Sequence, residues 1–92
     1  MIIKYYAYYR NYTGCKEEIL PLAPLTAIEL LKQLSQLHGK PLREKVLSEN
    51  GEKIHLDVIF LINGRNIDFL EGDHSVIEET DTVSLFPRIA GG

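Results

Sequence analysis

Thr26-Ala27-Ile28-Glu29-Leu30-Leu31-Lys32-Gln33-Leu34-Ser35-Gln36-Leu37-His38 is the one stretch with sustained helical periodicity. Ala27, Leu30, Leu31, Leu34 and Leu37 recur at three and four spacing and form a single apolar stripe. Glu29, Lys32, Gln33 and Gln36 fall outside it. Thr26 suits the N-cap, and Glu29 three residues on completes a capping box. Gly39 supplies the C-terminal stop. A stripe this narrow packs on one face of a sheet. The strands of that sheet must lie before and after the helix in the chain.

Upstream, Ile2 to Tyr9 is rich in β-branched and aromatic residues and predicts a strand. Alternation puts Ile3, Tyr5, Ala7 and Tyr9 on one face and Ile2, Lys4, Tyr6 and Tyr8 on the other. Both faces are partly apolar, which suits a central strand. Arg10 to Gly14 has the composition of a turn. Glu17 to Leu20 returns as a second strand, closed by Pro21 and Pro24. Downstream, Pro41 to Ser48 predicts a short second helix with proline in its first turn. Glu49 to Lys53 is a polar turn. Leu56 to Ile62 predicts a strand, Asn63-Gly64 a tight hairpin turn, and Arg65 to Leu70 a short returning strand. Ser75 to Asp81 reads as an acidic loop, and Thr82 to Phe86 as the last strand. The sum is an α+β domain, a mixed sheet of four or five strands on one main helix. A hairpin, a crossing helix and further strands is the layout of the β-grasp, ubiquitin-like fold.

Ninety-two residues suffice for one core and not for two. A net charge of -3, with no basic patch, argues against a nucleic-acid partner. The longest apolar runs, such as Val58 to Ile62, are far short of a membrane span. The start of the chain lacks the pattern of a signal peptide, and one cysteine, Cys15, fits a reducing, cytoplasmic setting. No histidine near Cys15 in sequence would activate it as a nucleophile. His38, His55 and His74 belong to different elements and read as solvated or capping residues, and no Cys/His pair has metal-site spacing. Glu78, Glu79 and Asp81 lack the calcium-loop pattern and read as a solvated acidic stretch.

The last residues carry the chemistry. Pro87 cannot donate a ladder hydrogen bond and is expected to end the final strand. The domain is therefore expected over residues 1–87, with a flexible tail over 88–92: Arg88, Ile89, Ala90, Gly91 and Gly92. Extended, five residues reach roughly 17 Å. Gly91 and Gly92 carry no Cβ, so a terminal carboxylate on Gly92 fits a narrow channel in another protein. A carboxylate is a poor electrophile and must first be activated, for example as an acyl-adenylate.

The chain resembles the small sulfur-carrier subunit of molybdopterin synthase, a ubiquitin-like family. The resemblance spans nearly the full length. It is carried by Lys4-Tyr5-Tyr6-Ala7 with Arg10 and Gly14, by Thr26 to Leu31, and by Leu61 to Ile67. Its most specific part is Asp81-Thr82-Val83-Ser84-Leu85-Phe86-Pro87 running into Ala90-Gly91-Gly92. Arg88 stands where the family commonly has a second proline, Thr80 where it has glycine, and Asn11 where an acidic residue is frequent. The resemblance implies partners. An E1-like adenylating enzyme would use ATP to adenylate Gly92, and a persulfide sulfur donor would convert the adenylate to a thiocarboxylate. The large subunit of molybdopterin synthase would then accept the tail and pass sulfur to a pterin precursor of the molybdenum or tungsten cofactor. The chain itself would bind no cofactor and need no catalytic base of its own. Gly92 is the expected reacting residue and Gly91 its clearance. Phe60, Phe86, Pro87, Arg88, Ile89 and Ala90 are the expected docking residues. Conjugation of Gly92 to target proteins, as a ubiquitin-like modifier, and sulfur delivery to thiamine or tRNA share the same activation step.

Overall fold

The structure is a computed structural model and describes residues 1–88. Its strands are β1 (Ile2–Tyr5), β2 (Glu17–Ile19), β3 (Leu25–Thr26), β4 (Val58–Ile62), β5 (Arg65–Asn66), β6 (Val76–Ile77) and β7 (Thr82–Pro87). Its helices are α1 (Tyr9–Thr13), α2 (Ala27–His38) and α3 (Lys40–Val46). Five strands form one mixed sheet in the order β2-β1-β7-β4-β5. β1 and β7 run parallel, with Ile3 opposite Val83, and the other neighbours are antiparallel. This is the expected β-grasp layout.

Alternation decides what each strand buries. Ile3 and Tyr5, Val58, Phe60 and Ile62, and Val83, Leu85 and Pro87 all face the core. They pack against α2 and α3 through Leu30, Leu31, Leu34, Leu42 and Val46. Thr26 and Glu29 form the expected capping box. The buried stripe of α2 differs from the expected one at three residues. Ile28 and Ser35 are buried, while Leu37 is 57% exposed. Ser35 satisfies its hydroxyl by donating to the Leu31 carbonyl at 2.7 Å.

Four segments depart from the expected pattern. β1 ends at Tyr5, and Tyr9–Thr13 is helical rather than strand and turn. The chain reverses at Ala7, whose φ is +54°, and α1 stops at Gly14 with φ +76°. β4 begins at Val58, because Asp57 and Leu56 lie beyond the residues that meet β7. Only Arg65–Asn66 pairs after the Asn63-Gly64 turn; Ile67–Phe69 then turns as a 3-10 helix and leaves Phe69 exposed. The acidic segment contains β6, which pairs with β3 and ties the entry of α2 to the body. Asp81, at its end, accepts from the Glu78 N–H and the Asn63 side chain, so it organises that turn.

Pro87 ends the final strand as expected, but as the last residue of β7, paired opposite Val58, so the strand runs one residue past Phe86. The reason is directional. The Arg88 N–H points to β4 and donates to the Asp57 carbonyl at 2.6 Å. The nitrogen of Pro87 therefore faces the opposite neighbour, β1, whose pairing stops at Tyr5 with Leu85. A missing donor withdraws nothing there.

Candidate functional site

β7 is held on both flanks by β1 and β4, so its end is one of the best-anchored points of the sheet. It delivers Phe86, Pro87 and Arg88 to the edge of the body. The Phe86 ring lies on the sheet face away from the helices and stacks on Tyr6 at 4.1 Å between centroids and 8° between planes. The Tyr6 N–H donates to the Leu85 carbonyl, which continues the β1–β7 pairing one residue past β1. The Arg10 guanidinium sits over the other flank of this pair, 5.5 Å from the Tyr6 centroid, and its Nε donates to the Tyr5 carbonyl at 2.8 Å.

On the opposite side of the β7 end is a hollow of about 170 Å3 whose lining includes Ile54, Leu56, Ile67, Asp73 and Arg88. The Arg88 Nε lies 3.4 Å from the Leu56 carbonyl, and the Leu56 side chain beside it is 88% exposed. Asp73 is engaged structurally and accepts the Ile54 N–H at 3.1 Å.

Phe86, Pro87 and Arg88 thus converge at the end of β7. Phe60 does not belong with them as an open-face residue. It is 1% exposed and packs in the core, because its place in β4 turns it toward the helices; no partner can dock on it. Ile89, Ala90, Gly91 and Gly92 lie outside the described residues. Tyr6 and Arg10 were not among the expected docking residues. Their signal was present, since Tyr6 falls on the face opposite Tyr5. The continuous strand expected to Tyr9 hid the reversal that brings Arg10 back over it.

The remaining titratable groups serve the fold. Glu18 accepts from the Tyr5 hydroxyl at 2.6 Å and contacts His38 Nε2 at 2.5 Å, so His38 is an inward-facing partner rather than the solvated or capping residue expected. Burial, and after it the Glu18 hydrogen bond, drives the Tyr5 phenol far above its ordinary range. His55 Nδ1 accepts the Asp57 N–H at 3.0 Å, the local bond expected of a capping histidine. Among the described residues no group of His, Cys, Asp and Glu could hold a metal ion, and no helix is long and apolar enough to cross a membrane.

Three comparisons bear on the whole chain. The model of the ThiS family matches residues 3–92. A protein of Archaeoglobus fulgidus, provisionally named a sulfur carrier protein, is 43% identical over 68 residues, covering 74% of this chain and 75% of the relative. The solution structure of small archaeal modifier protein 1 from Methanosarcina acetivorans is 29% identical with a TM-score of 0.78, covering 99% of this chain and 94% of that one. A chain of the BexX/CysO complex from Amycolatopsis orientalis superposes with a TM-score of 0.81 at 22% identity, covering 99% and 98%; at that identity the likeness is one of fold.

Proposed function

We propose, from the premise that the chain belongs to the ThiS family, that it carries sulfur on the carboxylate of Gly92. The observation that supports this reading most is the match to the family through the two closing glycines, on a chain whose last strand is anchored on both sides. The reading requires that Gly92 be the last residue of the working protein, as made or after trimming.

The chemistry follows from the poor reactivity of a carboxylate. An adenylating enzyme joins the Gly92 carboxylate to the α-phosphorus of ATP and releases pyrophosphate. The terminal sulfur of a persulfide attacks the acyl carbon, and AMP leaves. A thiol then cleaves the S–S bond, becoming part of a disulfide, and leaves a thiocarboxylate on Gly92. The soft, anionic sulfur is the transferable group. Gly91 and Gly92 keep the arm thin enough to thread, and partner enzymes supply acids, bases and ATP. Phe86 and Arg88 meet the partner at the base of the arm, buried Pro87 sets the exit direction, and Ile89 and Ala90 lie between them and the glycines. We assign the acceptor to a pterin precursor of the molybdenum or tungsten cofactor, in the active site of a large synthase subunit. Asp81 to Pro87, read together with Ala90 to Gly92, supports that assignment by its resemblance to the small synthase subunit.

A second reading has its own support. The likeness to a small archaeal modifier at 29% identity favours conjugation of Gly92 to lysines of other proteins. Both readings pass through the adenylate. Purification from the native cell separates them: recovery with a pterin-processing subunit supports the first, and isopeptide-linked ladders overturn it in favour of the second.

A further inference from the structure

The helices cover one face of the sheet and leave the other open. On that open face lie Ile2, Ile59, Leu61, Tyr6 and Phe86, all half-buried, with Lys4, Thr82 and Ser84 among them. A solvated sheet face ordinarily carries polar residues, so an apolar band there marks a contact surface. Arg10 stands at its edge. Among the described residues the only hydrogen bond of its side chain is from Nε to the Tyr5 carbonyl, and no carboxylate lies within ion-pair distance. The Tyr6 ring supports the guanidinium from beneath. The two Nη groups are left without protein acceptors on a side chain whose position is already held.

A guanidinium held this way reads a planar carboxylate with little entropy left to lose. Phe86, at the foot of the same column, is two residues from Arg88. The four residues beyond Arg88 span at most about 14 Å when extended. Any enzyme that reaches Gly92 must therefore lie close to the end of β7, where this face meets the arm. Lys4 is the other cation on it. Glu17, its cross-strand neighbour, is not within ion-pair distance of it or of Arg10.

We propose that Arg10 is the specificity-determining residue of the open face and binds an aspartate or glutamate set in an apolar surface of the adenylating enzyme. This rests on the function proposed above. Arg10 positions the whole domain and takes no part in the acyl chemistry, so its loss weakens capture without slowing the bound complex.

The test is ATP–pyrophosphate exchange by the adenylating enzyme of the same organism, with the full chain as varied substrate. Arg10→Gln raises the KM for the chain about tenfold or more at low salt, with kcat within about twofold. Arg10→Lys keeps the charge and can still donate to the Tyr5 carbonyl, but loses the fork, and its KM rises at least about fivefold. Should Arg10→Gln fail to fold, Arg10→Lys decides. Arg65→Gln, on the far edge strand, leaves KM within about twofold. A KM unchanged in Arg10→Lys, or one that moves equally in Arg65→Gln, overturns the role of Arg10 and leaves sulfur carriage standing. No exchange with the unaltered chain overturns both.

Discussion

At the scale of single residues, the Glu29 carboxylate accepts the Thr26 N–H at 2.9 Å and lies as close to the Thr26 hydroxyl. The backbone hydrogen bond, and after it the side-chain one, holds the Glu29 carboxyl below its ordinary value. A depressed folded-state pKa stabilises the fold above the unfolded value and loses that contribution as pH falls through the lowered one. Glu29→Gln therefore lowers Tm at neutral pH, and the difference shrinks as the pH falls below the ordinary carboxylate range. Thr26→Ala costs about 1 kcal/mol by urea denaturation. Tyr9 behaves in the opposite way. Its hydroxyl is buried with no hydrogen-bond partner among the described residues, and burial pushes its pKa far up. Removing an unpaired buried hydroxyl removes its desolvation penalty, so Tyr9→Phe stabilises by about 1 kcal/mol in the same assay. The capping box was legible because its residues are adjacent in sequence and their chemistry is local. The unpaired hydroxyl was not, because it depends on what packs around α1.

Among the elements, the short edge strand β2 has a ladder of only three residue pairs. What holds it is Glu18, whose carboxylate ties Tyr5 on β1 to His38 at the end of α2. Glu18→Ala leaves the Tyr5 hydroxyl buried without its acceptor and costs about 1–3 kcal/mol by urea denaturation. Tyr5→Phe in that background recovers part of the loss, which a simple packing defect would not. Strongly periodic or strongly punctuated elements were readable in advance. α2 has a stripe and a cap, and the β4–β5 turn uses Asn63 and Gly64 at φ of +51° and +81°, the conformation that Asn-Gly favours. Short elements without a pattern of their own were not. α1 is too short to show a period, and β3 and β6 form a ladder of two residue pairs set by tertiary contact.

For the whole molecule, the order of strands and helices carried the fold, since a hairpin, one amphipathic helix and later strands leave few ways to bury a single stripe. The site was legible in part. The Phe86 ring lies on the open sheet face as expected, whereas Phe60 went astray because its run is apolar on both faces. Separating body from arm gives a direct expectation. Deleting Gly92 abolishes adenylation by the activating enzyme and leaves Tm within about 1 °C, because chain termini ordinarily contribute little packing. A large fall in Tm would make those last residues part of the core. The most direct trial is the intact mass of the full chain after incubation with its adenylating enzyme, ATP and a persulfide donor. The account predicts a gain equal to the difference between one sulfur and one oxygen atom, located by fragmentation on Gly92. A mass that does not change, or a gain placed on Cys15, contradicts it.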